Sequence, residues 1–181
     1  MKRRYLIDTS SILTPYKTYY NPSIAPKFWE IFSDFIINSR KIFTIEKVIK
    51  EINKYHENDS ICKWVNENFN RNNLVIYEQK EPKIIQYYSI LMEWAERETQ
   101  RGRFKSVARD EFAKDNNADP WIIATAKWLT DSGYDCIIIT EENFEPKAKR
   151  KIFIPVAASE VFGIKCISLL ELMKIEGIII H

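Results

Sequence analysis

The sequence is poor in the residues that build phosphate cradles, zinc sites and disulfide frameworks. It holds 4 glycines, 2 histidines and 3 cysteines among 181 residues. The glycines are too scattered for a GxGxxG or GxxxxGK[ST] loop, in which glycine lets the backbone approach a phosphate. The histidines form no HExxH pair and the cysteines no CxxC pair, which argues against a structural zinc and a disulfide framework. An enzyme of this composition must work with carboxylates or hydroxyls.

A strong charge imbalance and a long apolar run are missing as well. The chain carries 27 lysines and arginines against 25 acidic residues, a formal charge of +2. No apolar run approaches the roughly 18 residues of a membrane span, and the basic start at 1–4 precedes only three apolar residues, too few for a secretory signal. With 45% hydrophobic residues the chain can fill one core. We therefore expect a single domain over residues 1–181, cytoplasmic and not bound to a membrane.

Short apolar runs alternate with amphipathic stretches along the chain. Strands are predicted at 5–7, 42–44, 74–77, 136–140 and 165–168. Helices are predicted at 26–39, 45–56, 59–69, from Pro82 onward, from Asp119 to Gly133, and at 169–175. Strands that alternate with helices predict an α/β fold with a parallel sheet, and the apolar runs at 5–7 and 136–140 are typical of its central strands.

Acidic residues stand where two predicted strands end. Asp8 follows the strand at 5–7, Glu141 and Glu142 follow the strand at 136–140, and Asp119 begins the helix that leads into that second strand. All of them should lie at the carboxyl edge of the sheet, where ligands bind in open parallel sheets. Helix capping accounts equally well for Asp8 and Asp119, and a solvated turn for the two glutamates.

Carboxylates gathered in one place raise each other's pKa, and a divalent cation relieves that repulsion. Mg²⁺ and Mn²⁺ favour such oxygen ligands and keep waters for catalysis. A fourth carboxylate should come from the helix at 45–56. Glu46 and Glu51 flank its apolar stripe on opposite sides, so periodicity does not choose between them.

Four segments resemble motifs of the PIN domain family, the nuclease fold of VapC-type toxins, and more closely its PIN-like branch. Residues 5–12 (YLIDTSSI) resemble the opening strand with the first catalytic aspartate, and 48–52 (VIKEI) the helical glutamate motif, which favours Glu51. Residues 118–126 (ADPWIIATA) resemble the motif of the third acid and are the most specific match. Residues 138–142 (IITEE) resemble the strand that ends in threonine, any residue and aspartate, with Glu142 in the aspartate's place.

The resemblance implies a three-layer α/β/α PIN-like fold around a central parallel β-sheet. It also implies a Mg²⁺- or Mn²⁺-dependent endoribonuclease that hydrolyses RNA with a metal-activated water. Such a protein is typically the toxin of a toxin–antitoxin pair, neutralised by a small antitoxin protein and often a homodimer. The metal-binding, catalytic residues implied are Asp8, Glu51, Asp119 and Glu142. We expect auxiliary roles for Thr9, Ser10 and Glu141, and for Asp115 as an additional ligand one helical turn before Asp119.

Basic residues beside the acidic site are candidates for contact with the substrate. Lys149, Arg150 and Lys151 follow Glu142 closely, and a second basic segment spans 97–114. Solvated faces are the ordinary alternative for such runs, and DNA remains open as a substrate. Glutamate at 142 favours a different class of function, a catalytically degenerate PIN-like binding or scaffold module.

Overall fold

The computed structural model of the protein describes residues 2–56 and 59–180. Its five strands are β1 (Lys2–Ile7), β2 (Ile42–Ile45), β3 (Val75–Ile76), β4 (Tyr134–Ile139) and β5 (Cys166–Ile167). The helices in the first half are α1 (Thr9–Lys17), α2 (Pro26–Ser39), α3 (Glu46–His56), α4 (Ser60–Val65) and α5 (Pro82–Gln100). Those in the second half are α6 (Ser106–Phe112), α7 (Asp119–Asp131), α8 (Ile154–Phe162) and α9 (Leu169–Glu176). Within the described residues, no helix is both long and apolar enough to cross a membrane.

The five strands form one parallel sheet in the order β3-β2-β1-β4-β5. The helices pack around this sheet in a three-layer α/β/α arrangement, which confirms the predicted fold class. The chain builds outward from β1 to β2 and β3, then crosses back to place β4 on the other side of β1. The carboxyl ends of β1 and β4 therefore flank the point where the strand order reverses, the usual ligand position in such sheets.

The centre of the sheet is apolar on both faces. Tyr5, Leu6 and Ile7 of β1 are fully buried, as are Ile138 and Ile139 of β4. The two strands pair over their whole length, from Lys2 opposite Tyr134 to Ile7 opposite Ile139. Burial on both sides explains why these strands are continuous apolar runs rather than alternating ones. The predicted central position of the first strand is confirmed.

The structure differs from the local predictions at three places. Residues 9–17 form helix α1, which was not predicted, and Asp8 is its N-cap, one of the roles expected for this residue. Asp115 does not lie one helical turn before Asp119, because α6 ends at Phe112 and α7 begins at Asp119, and Asp115 sits in the turn that connects them. Helix α8 was not predicted either; its residues are apolar on nearly every side and show no helical period.

Candidate functional site

A cavity of about 340 Å³ opens at the carboxyl edge of β1 and β4. It is lined by Asp8, Thr9, Ser10, Glu51, Glu111, Asn116, Asn117, Asp119, Glu142 and Lys151. Four separate stretches of chain thus bring together the four acids predicted from the sequence. The end of β1 supplies Asp8, α3 supplies Glu51, the start of α7 supplies Asp119, and the loop after β4 supplies Glu142.

Asp8 is the most buried of these acids, with only 4% of its surface exposed. Its Oδ2 accepts hydrogen bonds from Ser10 Oγ at 2.7 Å, Ser10 N at 3.3 Å and Thr140 Oγ1 at 3.3 Å. The pKa of Asp8 is raised to about 6: burial has the largest effect and the charges of Glu142 and Glu51 add to it, whereas the hydrogen bonds from Ser10 lower the pKa. Ionisation of Asp8 therefore costs more than that of an ordinary aspartate, and a positive charge nearby would relieve the cost.

The same two hydroxyls connect Asp8 to the loop after β4. Ser10 Oγ accepts the Glu141 N–H at 3.0 Å, and Thr140 Oγ1 accepts the Glu142 N–H at 3.2 Å. Each hydroxyl donates a hydrogen bond to Asp8 and accepts one from a backbone N–H of the loop, so it acts as donor and acceptor at once. The backbone of the loop is consequently held in register with the first turn of α1.

Asp119 occupies the first position of α7, where Pro120 follows it in the first turn. Its backbone N–H donates to Asn117 Oδ1 at 2.8 Å. Burial raises the pKa of Asp119 well above its ordinary value, and the charges of Asp8 and Glu142 raise it further, while Lys151 lowers it. Two neighbouring carboxyl groups of the cavity thus hold their protons more tightly than usual, because of burial and mutual repulsion.

Glu142 is engaged through both carboxylate oxygens. Its Oε1 accepts a hydrogen bond from Lys151 Nζ, and its Oε2 accepts the Ile154 N–H at 2.7 Å, where α8 begins. Partial burial lowers the pKa of Lys151, but the hydrogen bond to Glu142 and the charges of Asp119 and Asp8 outweigh this effect, so the pKa is raised. Lys151 is thereby kept charged and is the one cation among the residues that line the cavity.

Helix α3 directs Glu51, rather than Glu46, into the cavity. Glu51 Oε2 accepts a hydrogen bond from Thr9 Oγ1 at 2.7 Å. Glu46 instead pairs with Lys50 at 2.9 Å, and its backbone N–H donates to Glu78 Oε2 at 2.9 Å. The geometry selects between two glutamates that periodicity alone left equivalent.

Other predicted site residues lie outside the lining of this cavity. Asp115 is exposed and pairs with Lys47 at 3.4 Å. Glu141 faces a neighbouring cavity of about 270 Å³ and its Oε1 accepts the Leu169 N–H at 2.8 Å, at the start of α9. Lys149 and Arg150 are exposed, so Lys151 alone of that basic run reaches the acids.

Two arginines of the basic segment 97–114 are engaged in ion pairs with glutamates outside the segment. Arg103 pairs with Glu160 at 2.5 Å, and Arg109 pairs with Glu96 at 2.5 Å. The same segment contributes an acid that sequence reasoning missed, Glu111 of α6, which lines the cavity. No motif or period singles out Glu111, because only the packing of α6 brings it to the edge of the sheet.

The cavity carries a dense negative charge. Its lining has five acidic side chains and one lysine. Within residues 2–56 and 59–180, however, no three His, Cys, Asp or Glu side chains are grouped closely enough to hold a metal ion. The acids line a common space without converging on a single point.

The sequence model of one protein family, described as "Domain of unknown function (DUF4411)", matches residues 5–180. This range runs from β1 to beyond α9, so it includes every residue that lines the cavity. No curated protein matches the chain.

Proposed function

The chain belongs to the family described as a domain of unknown function, DUF4411, and from its acidic cavity we propose that it is a Mg²⁺- or Mn²⁺-dependent endoribonuclease. One observation carries the proposal. Asp8, Glu51, Asp119 and Glu142 come from four separate parts of the chain and line one cavity where the strand order reverses. The cavity is polar, open to solvent and dominated by carboxylates, as a site for a hard cation should be.

The chemical type of the donors suits such a cation, although the described acids do not converge on one point in the metal-free protein. Every candidate ligand is a carboxylate, the ligand type that Mg²⁺ and Mn²⁺ favour. The hydrogen bonds to Asp8 and Glu51 fall on Oδ2 and Oε2, and within the described residues Oδ1 and Oε1 accept none. Asp8, Glu51, Asp119 and Glu142 would hold the cation, which would supply a nucleophilic water near neutral pH and stabilise negative charge on the scissile phosphate.

The remaining side chains position these acids. Ser10 and Thr140 hold Asp8 through its Oδ2, and Thr9 holds Glu51 through its Oε2. Lys151 holds Glu142 through its Oε1 and places one positive charge in the cavity, where it can contact a phosphate oxygen. In the metal-free protein, Asp119 retains a proton to a higher pH than an ordinary aspartate.

Assay of the purified protein on single-stranded RNA tests this function. We expect cleavage with Mn²⁺ or Mg²⁺, none with a chelator, and none in Asp8→Asn. Cleavage that survives chelation, or an Asp8→Asn variant as active as the parent, would sink the proposal. Single-stranded DNA of the same sequence serves as the second substrate, because none of the site residues is specific for the 2′-hydroxyl.

The proposed biological role is that of a toxin of a toxin–antitoxin pair, with a small cognate antitoxin protein and a homodimeric state. This role rests on the resemblance of 5–12, 48–52, 118–126 and 138–142 to VapC-type motifs. Expression of the chain should arrest growth, Asp8→Asn should not, and a small protein encoded beside the gene should relieve the arrest. Growth arrest by Asp8→Asn equal to that by the parent would contradict a nucleolytic toxin.

A second candidate function is supported by the contacts of Glu142. Both of its oxygens are engaged, by Lys151 and by the start of α8, as expected of a binding or scaffold module that has lost its metal site. A cation that binds the folded state raises its melting temperature. A melting temperature that does not respond to Mn²⁺ favours the scaffold module, and a rise that disappears in Asp8→Asn favours the nuclease.

A further inference from the structure

A second polar cavity, of about 210 Å³, adjoins the acidic one on the side of α3. It is lined by Lys47, Lys50, Glu51, Lys54, Gln79, Asp115 and Asn116. Glu51 and Asn116 line both cavities, so the two spaces are contiguous. A ligand that leaves the acidic cavity past Glu51 meets three lysines.

These lysines occupy one side of α3. Lys47, Lys50 and Lys54 follow each other at intervals of three and four residues, the spacing that places side chains on one helix face, and together they span about 10 Å of helix rise. We call them the lysine face. A wider depression of about 550 Å³, lined by Lys50, Asn53, Lys54, Cys62 and Asn66, continues it away from the acids. Among the described residues, its lining contains lysine ammonium groups and side-chain amides but no carboxylate.

The members of the lysine face are held to different degrees. Lys47 is anchored, because its side chain is 8% exposed, its Nζ donates to the Asp115 carbonyl and it lies 5.3 Å from the centre of the Trp121 ring. Lys50 is 63% exposed and pairs with Glu46 along the helix. Such an exposed pair is weak, so the Lys50 ammonium can exchange its partner for a phosphate at little cost.

The acidic cavity by itself repels a polyanion. Its five acidic side chains face one lysine, and Arg103 and Arg109 of the other basic segment line neither this cavity nor the one beside it. A substrate with a charge on every nucleotide therefore needs cations beside the cavity. The lysine face adjoins the cavity, and its exposed members Lys50 and Lys54 supply such cations.

We propose that the lysine face binds the sugar–phosphate backbone of a single-stranded polynucleotide and leads it past Glu51 to the acidic cavity. Lysines contact the phosphates, and the side-chain amides of Asn53 and Gln79 donate to phosphate or sugar oxygens, contacts that position a strand without reading its sequence. The proposal rests on the nuclease function, whose substrate path it specifies.

The test measures how a fluorescent oligouridylate of about 12 nucleotides binds in Mn²⁺ at several salt concentrations. All proteins carry Asp8→Asn, so the probe is not cleaved. Lys50→Gln with Lys54→Gln should reduce the slope of log affinity against log salt by about 1.4, about 0.7 for each lost phosphate contact. The matched control is Lys27→Gln, also a helical lysine in an ion pair, with a 60% exposed side chain, and its slope should equal the parent's.

The outcomes separate this proposal from the nuclease function. With Asp8 restored, the double variant should show a raised KM and a kcat within about twofold of the parent. An unchanged slope and KM in an enzyme that cleaves RNA would refute the lysine face and leave the nuclease intact. If the double variant reduces the salt slope but the parent protein cleaves no RNA, the lysine face still binds a polynucleotide and the nuclease function is refuted. The double variant could instead weaken the binding of polyglutamate and leave the binding of oligouridylate unchanged. That result would overturn the proposal in favour of an acidic protein partner.

Discussion

Thr9 Oγ1 donates a 2.7 Å hydrogen bond to Glu51 Oε2. The contact joins the residue after Asp8 to the middle of α3, so one hydroxyl orients an acid from a different part of the chain. Thr9 itself is the first residue of α1, whose start Asp8 caps. The positions of Asp8 and Glu51 in the cavity are consequently coupled through the first turn of this helix.

Replacing Thr9 by valine should release Glu51 without emptying the space that the side chain fills. We expect Mn²⁺ affinity to fall by about tenfold, as is usual when a residue that orients a metal ligand is lost, and the free energy of unfolding to fall by about 1 kcal/mol. Thr9→Ser keeps the hydroxyl and should retain both. Calorimetric titration with Mn²⁺ measures the affinity, and equal affinities of the valine and serine variants would contradict the positioning role.

The metal-free protein should lose stability as the pH rises from about 4 to 7. The pKa of Asp8 is raised from 3.8 to about 6 in the folded state, so folding favours the protonated form. The contribution of Asp8 to stability is complete below about pH 4 and is lost as the pH passes 6, a change on the order of 3 kcal/mol. Urea denaturation with a chelator at several pH values measures this change.

Asp8→Asn removes the titrating group and should be more stable than the parent at neutral pH when no metal is present. The advantage should shrink towards pH 4, because the parent's Asp8 is then protonated. The exposed Asp34→Asn of α2 is the control and should not change the pH profile. An advantage of Asp8→Asn that is the same at every pH would show that Asp8 does not titrate as described.

Removal of the Lys151 ammonium should have opposite effects on stability and on metal binding. Lys151→Gln breaks the contact with Glu142 and removes the charge that lowers the pKa of Asp119, so the metal-free protein should lose about 1 kcal/mol. Glu142 is then released towards the cavity, and Mn²⁺ should bind several-fold more tightly. Lys151→Arg keeps the charge and serves as the control. Weaker Mn²⁺ binding by Lys151→Gln would exclude Glu142 as a ligand.

Glu51 and Glu46 form a matched pair of substitutions on one helix. Glu51→Gln removes a carboxylate from the cavity, and we expect kcat for RNA cleavage to fall by about a hundredfold. Glu46→Gln removes an equal charge from a side chain that pairs with Lys50, and its kcat should stay within about twofold of the parent's. Similar kcat values for the two variants would show that Glu51 has no catalytic role.

Much of the fold follows from periodicity. Helix α2 was predicted with its observed ends, because Pro26 starts the first turn and apolar residues recur at three and four. Helices α1 and α8 were not predicted, and each omission has a physical reason. The start of α1 contains threonine and serines that usually favour turns, and it is stabilised by the Asp8 cap and by burial of Ile12. In α8, apolar residues such as Val156 and Ala157 are buried on several sides, so no stripe marks the helix.

The part of the site that depends on strand topology was predictable from the sequence. Asp8, Asp119 and Glu142 follow from the rule that strand ends and helix starts share one edge of a parallel sheet. That rule does not separate Glu142 from Glu141, since both follow β4, and only the family resemblance favoured Glu142. In the structure each glutamate accepts an N–H from a different helix, and Glu142 is the one that lines the cavity with Asp8. The position of Glu111 depends on how α6 packs, which no local pattern encodes.

The pairing of β1 with β4 has a consequence during synthesis. Tyr5 lies opposite Ile137, so one edge of β1 stays unpaired while the ribosome adds more than a hundred residues. At a ribosomal rate of about 5–20 residues per second, that delay is on the order of 10 s. For that time a strand whose second half is apolar has one unpaired edge, which favours association with other nascent chains. The acidic cavity is also incomplete until Glu142 has been added, so the nascent chain lacks its full set of carboxylates for the same interval.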